Sequence, residues 1–411
     1  MTAQPPLLGV HSTLPDTSAL ATPLPRVLRP QRALPSDAVR PTRAEVNLAN
    51  LRHNLRVMQR AAGGAEVWPV LKADGYGHGA KAVARTLERA GANGICVALL
   101  EEGVELRQAG ILLPILVMGG YYGRSWGELL RHDLTPVLHE RSQVQALAEE
   151  VRFTGSPAIK IHVKVDTGMG RLGVCLADVP AMARAVRAQP ELVLEGLMTH
   201  FACADSGDQA SITRQLDAFD AATELFASSG LVPRFRHAAN SAGTLESARA
   251  RLDLVRPGIA LFGVPPRPGA CPELRPVMRV RTEVVALRDL SPGMTVGYGA
   301  TFTARRASRI ATIPMGYADG LSRGLSNAGH VLVRGARVPI VGNVSMDMTT
   351  VDVTDVAGVR IGDECVVLGS QKGSAGEATI SADEIANTLE TIPWEVLTSV
   401  SRRVPRFYRE P

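Results

Sequence analysis

Between residues 67 and 263 the chain alternates between two hydrophobic patterns. The runs VWPVLK, GICVALL, PILVMG, LTPVL, IKIHVKVD, LEGLMTH, FRHAAN and LDLVRPGIALFG are short and nearly continuous in apolar residues, as strands buried on both faces require. Segments between them, such as AKAVARTLERAG and DVPAMARAVRAQP, space their apolar residues three and four apart and often end in Gly or Pro. That spacing predicts amphipathic helices. An initial strand and helix occupy AEVNLANLRHNLRVMQRAAGG, stopped by its glycines. Eight strand–helix units in about 220 residues predict an α/β fold, a TIM (β/α)8 barrel rather than a six-stranded doubly wound sheet. From residue 278 onward VMRVRTEVVALRDL, SRIATIPMGY, HVLVRGARVPIVG, MTTVDVTDV and DECVVLG read as strands separated by Gly, Pro and Asp turns. They predict a second, mainly β domain, with a helix over 381–391 and an extended end at VSRRVPRFY. Residues 1–40 are Pro-rich and lack either period, so the expected organisation is a disordered tail at 1–40, a barrel at 41–277 and a β domain at 278–411.

The segment VDTGMGRLG has the spelling of a dinucleotide-binding loop, Gly168-x-Gly170-x-x-Gly173, with Glu191 downstream. It follows the fifth barrel strand, however, and the next helical pattern begins only near Asp178. The glycines therefore read as a tight loop that presents Arg171 at the barrel mouth.

Composition narrows the field. The 411 residues are 45% hydrophobic and 21% charged, and the formal charge is +5. Five Arg against two Asp in the first 43 residues leave only +2 on the rest, and no basic patch with interleaved aromatics points to nucleic acid. No apolar run reaches the roughly 18 residues of a membrane span, and nothing resembles a secretory leader. The five cysteines are scattered without a C-x-x-C pair, which reads as free thiols in a reducing, cytoplasmic compartment with no metal site. Only five of the 45 basic residues are Lys, at 72, 81, 160, 164 and 372. A lysine kept where arginine otherwise prevails can be one whose amine chemistry arginine cannot imitate.

Barrel active sites lie at the C-terminal strand ends. Those ends carry Lys72, then Asp166 with Arg171, His200, Asn240 with Ser241, and Arg256 with Gly258 and Ile259. An amine, two guanidinium groups and backbone donors suit an anionic cofactor and a carboxylate substrate. An amine lowered by desolvation and neighbouring cations can condense with an aldehyde. The residues thus point to pyridoxal phosphate on Lys72.

The segments VLKADGYGHG, VDTGMGRLG, LMTHFA, AANSAG, VRPGIALFG, VGYGATF, PMGYADG, GNVSMDM and SRRVPR together resemble the bacterial alanine racemase family, in collinear order over residues 41 to 409. The resemblance implies a TIM barrel plus β domain, a pyridoxal phosphate cofactor and a homodimer with composite active sites. It makes Lys72 the lysine that holds the cofactor and one catalytic base, and Tyr298 of the other subunit the opposite base. Arg171 would contact the cofactor's phenolic oxygen and the substrate carboxylate, with Met346 of the other subunit offering its N–H to that carboxylate. Tyr76, Ser241, Gly258 and Ile259 match phosphate-binding positions beside Asn240, Arg256 the partner of the ring nitrogen, His200 the partner of Arg256, and Tyr317 the substrate entrance. Lys164 aligns with a lysine carbamylated in several members; an ordinary structural lysine is the other reading. Trp394 stands where the family usually has a Tyr whose hydroxyl reaches the phosphate, and packing between domains is its alternative role. The implied activity is interconversion of L- and D-alanine, supplying D-alanine for peptidoglycan. A racemase of broader or serine specificity and a non-enzymatic pyridoxal phosphate carrier are the alternatives.

Overall fold

The computed structural model describes residues 39–119 and 125–410. The expected disordered tail, residues 1–40, lies outside the described residues except for its last two positions. A strand β1 (Arg43–Asn47) precedes eight barrel strands: β2 (Glu66–Val67), β3 (Ile95–Val97), β4 (Ile115–Val117), β5 (Thr135–Leu138), β6 (Ile159–Lys164), β7 (Leu192–Met198), β8 (Phe235–His237) and β9 (Leu254–Val255). Each overlaps one of the eight apolar runs, β2 and β7 beginning one and two residues ahead of theirs. Strands β3 to β8 pair in sequence order, all parallel, and β2 pairs with β9. A bridge between Val70 and Cys96 joins β2 to β3. Backbone bonds from Asp253 N to Arg236 O (3.1 Å) and from Arg256 N to Ala239 O (2.9 Å) join β9 to β8 and close the ring.

The first helix, Leu48–Ala62, starts at Asn47, whose side chain accepts from Asn50 N, and stops at Gly63 with φ 64°. It packs against the helices Ala80–Arg89 and Ser241–Glu246. It thereby fills the place after β9, where the chain itself makes only a short 3-10 turn, Ile259–Phe262.

One assignment changes. Strand β1, counted with the barrel in the partition at 41–277, belongs to the sheet of the second domain. It runs antiparallel to Met278–Glu283 and parallel to Arg406–Arg409. Eight strands already close the barrel, so β1 has no edge there to join. Its buried Glu45 instead takes Arg279, Arg281 and Arg409 as ion-pair partners. That sheet continues through Glu364–Gly373 and His330–Val333, and a second sheet pairs Ala286–Leu290, Ser308–Ile313 and Thr349–Asp352. The expected helix near 381–391 is Ala382–Thr388. A further helix, Pro393–Ser399, opens on proline and carries Trp394. One continuous core, from Ala44 to Val404, runs through both domains.

Candidate active site

The loop 166–173 settles the role of its glycines. Asp166 Oδ1 accepts from Gly168 N (2.9 Å), Met169 N (2.9 Å) and Gly170 N (3.1 Å). Partial burial would raise this carboxyl, but those three donors and Lys164 hold it below the usual range. The N–H groups that a dinucleotide-binding loop would offer to a pyrophosphate are thus taken by the loop's own side chain.

A cavity of about 140 Å³ opens at the C-terminal end of the barrel. Lys72, Tyr76, His200, Asn240, Ser241, Arg256, Gly258, Ile259 and Trp394 all line it, as do three residues the sequence reading passed over, Val70, Met118 and Asp205. Asp205 follows His200 by five positions after the same strand, so strand-end position alone could have found it. Its carboxyl is raised, first by burial and then by Glu246.

Lys72 leaves its strand on an unusual backbone. Ala73, Asp74, Gly75, Tyr76 and Gly77 have φ of 51°, 57°, 62°, 52° and 78°, a complete left-handed turn. Left-handed geometry costs about 1–2 kcal/mol at each residue that carries a Cβ, so the surroundings must hold it in place. Glu102 Oε1 accepts from Ala73 N (2.6 Å), Asp74 Oδ1 from Ala80 N (2.8 Å), and His78 Nδ1 lies 2.8 Å from Tyr76 O. Lys72 keeps access to solvent in the single chain, at the mouth of the cavity. Desolvation there, and then Arg171, lower its amine below the ordinary lysine value, against an opposing effect of Glu102. Lys164, almost fully buried, is pushed down to about 8 by burial, Arg171 and Arg256.

On the opposite wall Ser241 Oγ accepts from Gly258 N (2.9 Å) and Ala260 N (3.3 Å). A Cβ on Gly258 would stand 2.3 Å from the Tyr76 hydroxyl oxygen, so only glycine leaves this cradle open. The Tyr76 and Ser241 hydroxyls line the cavity there together with Gly258 and Ile259, a set that fits a phosphate. Asn240 acts as the cap of the helix Ser241–Glu246, accepting from Gly243 N (2.9 Å). Trp394 is half-buried against the core shared by the two domains, and it lines the cavity.

Arg256 is buried beneath the cavity. It donates to Thr199 O (2.8 Å), Ala238 O (3.2 Å) and His237 Nδ1 (2.6 Å), with His200 Nδ1 at 3.4 Å. Burial lowers it to about 10, so it stays charged at neutral pH. Burial and Arg256 push His200 down to about 3, keeping it neutral. A guanidinium only donates. Neutral His237 therefore carries its proton on Nε2 and gives it to His162 Nδ1, 2.8 Å away. His162 Nε2 is then left facing Glu195 Oε2 at 3.5 Å.

The remaining expected site residues lie elsewhere. Arg171 is exposed beyond the cavity lining and acts on Lys72 electrostatically. Tyr298, Met346 and Tyr317 sit on the β domain and are 76%, 52% and 42% exposed. They belong to connected segments: Asn343 Nδ2 donates to Tyr298 O (2.7 Å), Tyr317 N to Ser345 O (3.0 Å) and Ala318 N to Met346 O (3.1 Å). None of the three lines the cavity that holds Lys72. Among the described residues no helix is long and apolar enough to cross a membrane, and no group of three metal-ligating side chains occurs.

Family models described as alanine racemase, N-terminal domain, and alanine racemase, C-terminal domain, match residues 46–266 and 277–408. An alanine racemase of Sorangium cellulosum is 58% identical over 379 residues, 91% of this chain and 100% of that protein. The crystal structure of alanine racemase from Bacillus anthracis with bound L-Ala-P superposes with a TM-score of 0.84 at 33% identity, over 90% of this chain and 95% of that one. That of alanine racemase from Bartonella henselae with covalently bound pyridoxal phosphate gives 0.81 at 29% identity, over 90% and 99%. With both domains matched and the relatives covered end to end, the chain belongs to the alanine racemase family of pyridoxal-phosphate-dependent isomerases.

Proposed function

We propose that the chain interconverts L- and D-alanine by proton transfer between two bases, Lys72 of one subunit and Tyr298 of the partner subunit, in a cytoplasmic homodimer that supplies D-alanine for peptidoglycan. The observation that carries this reading is the division of the site within one chain. Lys72 lies in the barrel cavity, while Tyr298, Met346 and Tyr317 present themselves to solvent on the other domain. A two-fold symmetric pair would use both halves.

The residues present fit pyridoxal phosphate: Lys72 would hold it covalently, Tyr76, Ser241, Gly258 and Ile259 would take the phosphate, Arg256 the ring nitrogen and Arg171 the phenolic oxygen. When bound, the cofactor supplies the electron sink that acidifies the substrate Cα–H. Racemisation removes that proton from one face and returns one to the other, so two bases on opposite faces are needed. The lowered amine of Lys72 spends more of its time neutral, the form that accepts a proton. Arg256, still charged and committed to carbonyl acceptors, does not release a proton to the ring nitrogen, which restrains side reactions such as transamination. Arg171 and the Met346 N–H of the partner subunit would orient the substrate carboxylate.

Incubation of the holoenzyme with L-alanine, followed by chiral separation, should yield D-alanine at equal final amounts. Faster turnover of L-serine than L-alanine in a substrate panel would instead favour the broader racemase. Cofactor binding with no D-amino acid from any substrate would favour a carrier. Trp394 offers a milder test at the same site. Trp394→Tyr places a hydroxyl where the indole lines the cavity, and one added hydrogen bond should tighten cofactor binding by about 1 kcal/mol. Equal or weaker retention in equilibrium dialysis would assign Trp394 to packing alone.

A further inference from the structure

The left-handed turn after Lys72 is held by two kinds of contact. Glu102, Asp74 and His78 come from its own neighbourhood in the barrel. The others come from the far end of the chain. Arg406, buried at the start of the strand Arg406–Arg409, donates from Nε to Gly77 O (2.9 Å), across 329 positions of sequence. Its remaining nitrogens donate to Ser401 O (2.6 Å), Val404 O (2.5 Å) and Val400 O (2.6 Å). Tyr408 of the same strand donates to His78 O (3.3 Å). Gly77 must also be glycine, since a Cβ there would meet Leu397 O at 2.4 Å. Leu397 lies on the helix Pro393–Ser399, which brings Trp394 to the cavity.

We propose that Arg406 is a positioning residue for Lys72: one guanidinium ties the C-terminal turn 400–404 to Gly77 and so sets where the left-handed turn places the Lys72 amine. The guanidinium is suited to this because its five donors fan out in a fixed plane and can serve several carbonyls at once. A left-handed turn with three side-chain-bearing residues has no local preference to fall back on. Released at Gly77, it relaxes and the amine swings from the cavity mouth toward water, away from Arg171. The proposal rests on Lys72 being the cofactor-bearing lysine.

The test exploits the small number of lysines. The full chain, freed of cofactor, is acetylated over a pH series, and the five lysines are followed individually by peptide mass spectrometry. In the wild type, Lys72 should label with a midpoint below the ordinary lysine value. In Arg406→Lys, which keeps a charge but not the fan of donors, the Lys72 midpoint should rise toward that value. The reloaded enzyme should lose tenfold or more in kcat, with KM for alanine changed less than twofold. Tyr408→Phe, which removes the hydroxyl that donates to His78 O and leaves the guanidinium in place, should shift Lys72 the same way by less, and it serves if Arg406→Lys does not fold. Arg409→Lys, on the same strand but paired with Glu45, should leave Lys72 unmoved. An unchanged Lys72 midpoint and kcat in a folded Arg406→Lys variant with a lower melting temperature would overturn the proposal, as would an equal shift in Arg409→Lys. Borohydride reduction of the wild-type holoenzyme separates the two levels of inference. A label on another lysine would sink the assignment of Lys72 itself, whereas a label on Lys72 with no response to Arg406→Lys would sink the positioning role alone.

Discussion

Lys72→Ala and Tyr298→Phe homodimers, each nearly inactive, should recover about a quarter of wild-type activity when unfolded together in equal amounts and refolded as a mixture. If each site takes Lys72 from one subunit and Tyr298 from the other, either homodimer lacks one base at both of its sites. A mixed dimer gathers both defects into one site and leaves the other complete. Random reassortment makes about half the dimers mixed, so about one site in four is intact. The exposure of Tyr298, Met346 and Tyr317 on a face separate from the Lys72 cavity is what leads to this expectation. The measurement is racemase activity against the fraction of mixed dimer, counted by native mass spectrometry. Mixed dimers present in the statistical amount, yet silent, would place both bases in one chain.

The second large effect belongs to Lys72 alone. If Lys72 is both a base and the cofactor's anchor, as proposed, Lys72→Ala should lower kcat/KM by at least about 10³-fold, since a positioned general base contributes roughly 10²–10⁴ and the covalent hold would be lost with it. The same variant should carry no borohydride-fixed pyridoxal label on any residue. Lys164 is the informative control: its amine is pushed down to about 8, reactive enough to substitute if amine reactivity alone decided the matter. It is nearly fully buried at the end of β6, and Lys72 alone of the five lysines lines the cavity. A full label transferred to Lys164 would show that the site selects its amine by pKa rather than by position.

How much of this was legible beforehand differs from element to element. All eight barrel strands could be read because each is covered on both faces, and that burial writes a continuous apolar run into the sequence. The lining of the cavity was legible for a related reason, since the barrel puts its chemistry at strand ends, and Lys72, His200, Ser241 and Arg256 all stand there. The helix Pro393–Ser399 escaped because no capping side chain announces its start, whereas the equally short Ala382–Thr388 opens on Ser381, whose side chain accepts from Glu384 N. Strand β1 was placed with the barrel because five alternating residues look alike in any sheet, and nothing local says that Glu45 will meet three arginines more than 230 positions away.

The barrel, the β domain that follows it, the family resemblance and most of the residues around the cavity follow from the order of residues along the chain. These are matters of period, burial and order along the chain, which each segment records in its own composition. That Asp166 consumes the glycine loop's donors, and that Lys72 rides on a left-handed turn, became visible in the tertiary structure alone. It alone showed that Arg406 reaches Gly77. Each of these depends on two segments meeting in space, and side-chain pattern records which face of a segment is buried, not which distant group will lie against it.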